Sequence, residues 1–125
     1  MILDTNAVSD LLEGNERLAD LLAPDVRHHL PIMVLGEYRF GLLGSRRGVR
    51  LEPLIDQLES ESRVLSPDVE TARVYAQVRH QLKKRGTPIP ENDIWIASLS
   101  IQHKLPIASR DDHFDRVEGV DRRQW

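Results

Sequence analysis

Cysteine is absent from this chain of 125 residues, and that absence excludes several kinds of chemistry. Disulfide bonds, thiol catalysis and cysteine-ligated zinc sites are ruled out, and a reducing compartment is the expected environment. Long hydrophobic runs are also missing, since no segment approaches the roughly 18 apolar residues that a membrane span needs. The chain opens on Met1, Ile2, Leu3 and Asp4, without a basic segment leading into an apolar one. We therefore expect a cytoplasmic protein with no membrane partner.

Positive charge is in deficit, because 17 basic residues face 20 acidic ones and the net charge at pH 7 is −3. Nucleic-acid partners need positive charge opposite their phosphates. The charges are segregated, however: residues 1–26 hold six acids and one base, residues 27–50 hold five arginines and one acid, and residues 73–85 hold five bases and no acid. These basic segments are either solvated surfaces or nucleic-acid contacts. The candidate contact residues are Arg46, Arg47, Arg79, Lys83, Lys84 and Arg85.

The arrangement of apolar residues predicts an α/β fold. Hydrophobic residues make up 40% of the chain and charged ones 30%, a globular balance that suits a single domain over residues 1–125. Short apolar runs alternate with longer periodic segments, which is typical of β/α units around a mainly parallel sheet. We predict strands at 1–3, 28–32, 63–65 and 106–108, with a further short strand around Val120. Helices are predicted directly after Asp4 and over 15–23, 33–43, 49–61, 68–85 and 92–103.

Four acidic residues occupy positions from which they can converge. Asp4 follows the first predicted strand, and Asp111 follows the strand at 106–108. Carboxyl ends of parallel strands form the sites of α/β sheets, so these two acids are expected at one edge. Asp93 lies at a helix start, and Glu37 lies within a helix. Taken singly, Asp4 can cap a helix, Asp93 can stabilise a first turn, and Glu37 can be solvated.

Four converging carboxylates need positive charge nearby, because like charges a few ångströms apart repel strongly. Oxygen ligands, without cysteine or a usefully spaced pair of histidines, favour Mg²⁺ or Mn²⁺ over zinc. Such ions bind phosphates, lower the pKa of a bound water and assist displacement at phosphorus. The five histidines offer no obvious acid–base pair. We interpret His113, which precedes Phe114, as part of a turn packed on the core.

Four sequence blocks, in this order, resemble the PIN domain and specifically a VapC-type toxin ribonuclease. Each block is weak alone, since an apolar-Asp-Thr strand end also occurs in phosphatases and ATPases, but four in order are specific. Together they span nearly the whole chain. The blocks are Ile2-Leu3-Asp4-Thr5-Asn6, Gly36-Glu37-Tyr38-Arg39-Phe40-Gly41, Asn92-Asp93-Ile94-Trp95-Ile96-Ala97 and Ser109-Arg110-Asp111-Asp112-His113-Phe114.

The resemblance implies a three-layer α/β/α sandwich with a central, mainly parallel sheet. It also implies endoribonuclease activity that depends on Mg²⁺, for which Mn²⁺ can substitute. The implied partners are an RNA substrate such as a tRNA or rRNA loop, a cognate antitoxin protein, and a second copy of the chain in a homodimer. The family's acidic quartet, which is catalytic and binds the metal, matches Asp4, Glu37, Asp93 and Asp111.

Residues next to the quartet are implied to support it. Thr5 matches the hydroxyl residue beside the first acid. The further supporting candidates are Asn6, Ser109, Asp112 and Asp115, of which the last two share a turn with Asp111. The implied mechanism is in-line attack by a metal-activated water, with Glu37 orienting that water and the product carrying a 5′-phosphate.

Two other functions are open at the level of sequence. An aspartate-based phosphatase would use Asp4 as its nucleophile, but such sites want a second acid two residues later, where this chain has Asn6. A catalytically inactive PIN fold would only bind RNA or protein, although all four acidic positions hold acids. The homodimer surface is open as well, because one apolar stretch suits either a dimer contact or the core: Leu42, Leu43, Leu51, Leu54 and Ile55.

Overall fold

The computed structural model describes all residues from 1 to 125. Its elements are β1 (Ile2–Leu3), α1 (Thr5–Leu12), α2 (Glu16–Leu22), β2 (His29–Pro31), α3 (Ile32–Leu43), α4 (Gly48–Glu61), β3 (Arg63–Leu65), α5 (Val69–Arg85), α6 (Glu91–His103), β4 (Ile107–Ala108), a 3₁₀ helix (Asp112–Arg116) and β5 (Arg122–Arg123). None of the helices combines the length and the apolar character that crossing a bilayer requires.

All five strands are parallel and form one sheet in the order β3-β2-β1-β4-β5. Helices α1, α3 and α4 contact one another, with α2 against α1, whereas α5 packs on α6. The expected α/β/α sandwich with a parallel sheet is therefore confirmed. From β1 the chain moves outward through β2 and β3, then crosses to the other side of β1 at β4. Ligand crevices of open α/β sheets lie at such a switch point, beyond the carboxyl ends of the two central strands.

The end of the chain is where the predicted elements and the structure differ. The last strand pairs with β4 at Arg122 and Arg123, two residues later than the strand expected around Val120. The 3₁₀ helix at Asp112–Arg116 is not predicted by the sequence pattern either. Both elements are short and rich in charged residues, so they lack the apolar periodicity on which prediction depends.

The apolar stretch in α3 and α4 belongs mainly to the core. Leu42, Leu51 and Ile55 are buried, and Leu54 is partly buried against them. Leu43 is the exception, because it is 83% exposed. Most of this stretch therefore stabilises the monomer and is not available as a dimer contact.

Replacement of Ile55 by Ala is expected to lower the free energy of unfolding by about 2–5 kcal/mol, because it leaves a cavity at a fully buried position. Leu43→Ala, in the same apolar stretch but exposed, should change it by less than about 0.5 kcal/mol. Urea unfolding of the wild type and the two variants, at a dilution that dissociates any dimer, measures both values. Comparable losses in both variants would contradict the division of this stretch into core and surface.

Candidate metal centre

The Asp4 side chain is buried at the carboxyl end of β1. The residue is 5% exposed, and its carboxylate accepts hydrogen bonds from the Ser109 hydroxyl at 2.6 Å and from the Asn6 amide at 3.2 Å. Although Asp4 stands at the N-cap position of α1, its side chain makes no capping hydrogen bond. Burial raises the pKa of Asp4 above its ordinary value, while the hydrogen bond from Ser109 acts in the lowering direction. The Asp4 side chain is therefore directed to Ser109 after β4 and does not cap α1.

The register of β1 and β4 brings Asp4 and Ser109 together. Leu3 is paired with Ala108, and the Asp4 backbone N–H donates to the Ala108 carbonyl at 3.1 Å. Asp4 and Ser109, which directly follow these two strands, therefore lie at the same edge of the sheet. The Ser109 hydroxyl also accepts a hydrogen bond from the Asp111 backbone N–H at 2.9 Å. One serine thus ties the buried carboxylate to the turn that carries Asp111.

Asp93 and Asp111 meet at the imidazole of His113. Asp93 lies in the first turn of α6 and its side chain is 14% exposed, and Asp111 directly precedes the 3₁₀ helix. His113 Nδ1 lies 3.0 Å from Asp93 Oδ2 and 2.9 Å from Asp111 Oδ1. Burial raises the pKa of Asp93, and the hydrogen bond with His113 opposes that shift. One donor atom from each of the three residues lies within 4.8 Å of the others, a grouping that one metal ion can bridge.

His113 is the residue that the sequence interpretation missed. The turn packs on the core through Phe114, which is fully buried, whereas the histidine before it is 32% exposed and faces the two acids. Because Phe114 anchors the 3₁₀ helix in the core, the neighbouring imidazole is held against the two acids. The spacing of two residues between Asp111 and His113 is the signal that points to a shared site.

Glu37 reaches the same site from α3. Its Oε2 accepts a hydrogen bond from the Thr5 hydroxyl at 3.0 Å, and Thr5 begins α1 directly after Asp4. The four acids named from the sequence therefore converge on one pocket whose lining contains no hydrophobic residue. The lining residues are Asp4, Thr5, Asn6, Ser9, Asp10, Glu37, Asp93 and Asp111.

Two acids of the C-terminal turn lie outside this pocket, and one unpredicted acid lies in it. Arg122 binds the Asp115 carboxylate through hydrogen bonds of 2.8 and 2.7 Å, and Asp112 is exposed. Asp10, which the sequence did not single out, lines the pocket and accepts hydrogen bonds from the Arg110 side chain and, at 2.9 Å, from the Trp125 indole. Of the three acids in the turn, the fold directs only Asp111 toward the cluster.

The candidate nucleic-acid contacts all lie outside the acidic pocket. Arg47 lines a neighbouring pocket that shares Thr5 and Glu37 with the acidic one, and it pairs with Glu13 at 2.7 Å. The other candidates are exposed on different parts of the surface: Arg46, Arg79, Lys83, Lys84 and Arg85. Their positions are compatible with either a solvated surface or contacts to an extended ligand.

Comparisons with known proteins agree on one family. The family model described as PIN domain matches residues 1–120. Ribonuclease VapC5 of Mycobacterium tuberculosis is 32% identical over 123 residues, which cover 95% of this chain and 88% of that protein. The crystal structure of FitAcB from Neisseria gonorrhoeae matches with a TM-score of 0.80 at 30% identity, covering 97% of this chain and 94% of that one. The chain therefore belongs to the PIN-domain family, among the VapC-type ribonucleases.

A further similar structure belongs to a toxin-antitoxin system. It is described as a member of the VapBC family of toxin-antitoxin systems, VapBC-5, from Mycobacterium tuberculosis. It matches with a TM-score of 0.73 at 28% identity, covering 98% of this chain and 94% of that one. The PIN fold of that relative is thus known from a toxin-antitoxin system.

In metal-free protein at about pH 7, Asp4→Asn is expected to raise the midpoint temperature of unfolding. The raised pKa of Asp4 means that folding disfavours its ionised form, chiefly through burial. Because the folded state then binds a proton more tightly than the unfolded state, the wild type should gain stability relative to the variant as the pH falls toward that pKa.

Thermal unfolding in EDTA, between about pH 7 and about pH 5, measures this difference. Asp20→Asn makes the same change at an exposed position of α2 and serves as the control. A variant that is less stable than the wild type at neutral pH would show that ionised Asp4 stabilises the metal-free fold, contrary to expectation.

Proposed function

We propose that this chain is a divalent-metal-dependent endoribonuclease and the toxin of a toxin-antitoxin pair. The observation that carries the proposal is the convergence of Asp4, Glu37, Asp93 and Asp111 on one polar pocket. Relatives named as ribonucleases, matched over nearly the whole chain, support RNA as the substrate class. A pocket of acids repels phosphates unless it holds a cation, so Mg²⁺ is the proposed cofactor, with Mn²⁺ able to substitute.

The donor set of the pocket fits a hard divalent cation. Carboxylate oxygens are the ligands that Mg²⁺ and Mn²⁺ favour, and several carboxylates here are drawn together without a lysine or arginine in the pocket lining. Burial raises the pKa of both Asp4 and Asp93, so their charged forms are disfavoured until a cation compensates them. We assign Asp4, Asp93 and Asp111 as the residues that hold the ion, with Glu37 on the open side.

The proposed reaction is hydrolysis of an RNA phosphodiester bond. A divalent ion in this pocket would lower the pKa of a water and offset charge that develops on the phosphate. Ser109 and Asn6 fix the orientation of the Asp4 carboxylate, and Thr5 holds Glu37 at the edge of the pocket. Glu37 is the most exposed of the four acids, so it can accept a proton from the attacking water. In-line attack of that water leaves a 5′-phosphate on one product.

The site disfavours one alternative and suggests the form of the substrate. Asn6, where an aspartate-based phosphatase wants its second acid, donates its amide N–H groups to Asp4 and to Ser109, and a carboxamide cannot act as a general acid or base. We propose unpaired loops of tRNA or rRNA as substrates, because a splayed strand can reach a recessed cluster that a duplex cannot enter. The exposed basic residues then contact RNA outside the cleavage site.

Purified, antitoxin-free protein is expected to cut total tRNA or rRNA at discrete positions with Mg²⁺ or Mn²⁺ and not with EDTA. Asp111→Asn should lower the cleavage rate by roughly tenfold to a hundredfold or more, because it weakens metal binding. Asp112→Asn, the same change one residue later and outside the pocket, is the matched control and should retain activity. Sequencing of the products, with and without phosphatase treatment, identifies the 5′-phosphate ends.

Three outcomes would count against the proposal. Intact tRNA and rRNA after incubation with metal-loaded protein would favour the binding-only PIN fold. Cleavage that persists in EDTA would contradict the metal mechanism. Equal loss of activity in Asp111→Asn and Asp112→Asn would contradict the assignment of Asp111.

We further propose that a cognate antitoxin inhibits the site by inserting a basic side chain. The VapBC-5 relationship supports an antitoxin partner, and the acidic pocket is complementary to an Arg or Lys. A guanidinium that pairs with Asp4 or Asp93 replaces the cation by satisfying the same carboxylates.

A homodimer is also proposed, and three exposed apolar side chains offer area for it: Phe40, Leu43 and Val49.

Binding of the cognate antitoxin is expected to weaken Mn²⁺ binding to this chain, because cation and basic side chain compete for the same carboxylates. A Mn²⁺ titration of the toxin alone and of the complex, followed by electron paramagnetic resonance, measures the change. Asp93→Asn should weaken the antitoxin complex, whereas Asp20→Asn should leave it unchanged. A complex that retains the full Mn²⁺ affinity of the free toxin would contradict this mode of inhibition.

A further inference from the structure

One nitrogen atom of His113 lies between two carboxylates. Nδ1 is 3.0 Å from Asp93 Oδ2 and 2.9 Å from Asp111 Oδ1. In either protonation state this nitrogen carries at most one proton, so it can donate one good hydrogen bond. The contact with Asp93 has hydrogen-bond geometry. The single proton on Nδ1 therefore cannot serve both carboxylates, and Asp111 Oδ1 is held beside the ring by the His113 backbone N–H.

The two distances match those between neighbouring ligands of one ion. Ligand atoms about 2.1 Å from an octahedral cation are about 3.0 Å apart when they occupy adjacent positions. The separations from Nδ1 to the two carboxylate oxygens have this value. Donor atoms of all three residues also lie within 4.8 Å of one another. A single cation can therefore replace the one shared proton and satisfy all three groups.

The fold holds the imidazole in this position. The His113 backbone N–H donates to Asp111 Oδ1 at 3.0 Å, and the next residue, Phe114, is fully buried. The His113 side chain is 32% exposed, so the ring is accessible to an ion from solvent. A ring fixed by its own backbone and by an anchored neighbour loses little freedom when it binds a metal.

We propose, on the basis of the metal-dependent function above, that His113 joins Asp93 and Asp111, two of the three acids assigned above, as a direct ligand of the catalytic ion. Imidazole nitrogen is a better donor to first-row transition metals than to Mg²⁺. The His113 nitrogen therefore raises the affinity of the site for Mn²⁺ more than its affinity for Mg²⁺. His113 is a metal-selecting residue of this chain.

The direct test is electron spin-echo envelope modulation of the full chain loaded with Mn²⁺ alone, without RNA. Coordination by His113 predicts modulation from a directly bound ¹⁴N nucleus, which changes when the protein carries ¹⁵N-labelled histidine. The signal should disappear in His113→Asn. It should persist in His80→Asn, the same substitution at an exposed histidine of α5.

Calorimetry of the same proteins tests the selectivity. Asn replaces the nitrogen donor with an amide oxygen, so His113→Asn should lower Mn²⁺ affinity by about tenfold or more and Mg²⁺ affinity by less than about threefold. Bound Mn²⁺ without nitrogen modulation in the wild type would overturn the assignment of His113 while leaving the metal site intact. Failure of the wild type to bind Mn²⁺ at all would overturn the proposed function itself. Because both results come from the wild-type protein, they do not depend on the folding of a variant.

Discussion

The hydrogen bond from the Ser109 hydroxyl to the Asp4 carboxylate is the contact on which the site depends. It joins the ends of β1 and β4, the two strands between which the strand order reverses. It also gives a hydrogen-bond donor to a carboxylate that is almost fully buried. Without such donors, burial of a charged group is strongly unfavourable. The same hydroxyl receives the Asp111 N–H, so one serine positions both Asp4 and the turn that carries Asp111. The parallel register of two short strands therefore brings Asp4 and Asp111 to the same edge of the sheet.

Much of this site was predictable because its acids follow simple local signals. Asp4 and Asp111 each come directly after a buried strand, and parallel strands place such residues at one edge. The long helices were equally accessible, since α5 has a clear apolar stripe, a capping box at Asp68 and a glycine at its end. Periodicity thus predicts the architecture and strand ends point to Asp4 and Asp111, whereas the quartet as a set comes from the PIN-domain resemblance, which the family match confirms.

The residues that escaped prediction owe their positions to tertiary contacts. His113 faces Asp93 only because Phe114 is buried and α6 runs beside the 3₁₀ helix. Asp10 enters the pocket lining from the second half of α1, a position that no strand end or helix start marks. The two-residue strand β5 has no alternation to detect, and its register is set by β4. Local sequence patterns carry no information about such long-range approaches.

The pocket is assembled from residues that are far apart in the sequence, so it cannot form early in translation. Asp4 and the Ser109 that fixes it are 105 residues apart in the chain. A nascent chain that has emerged only through α5 contains Asp4 and Glu37 but neither Asp93 nor Asp111. Contacts of such large sequence separation form late. The ribosome that makes this protein therefore translates past Asp111 before a complete acidic pocket exists beside its own RNA.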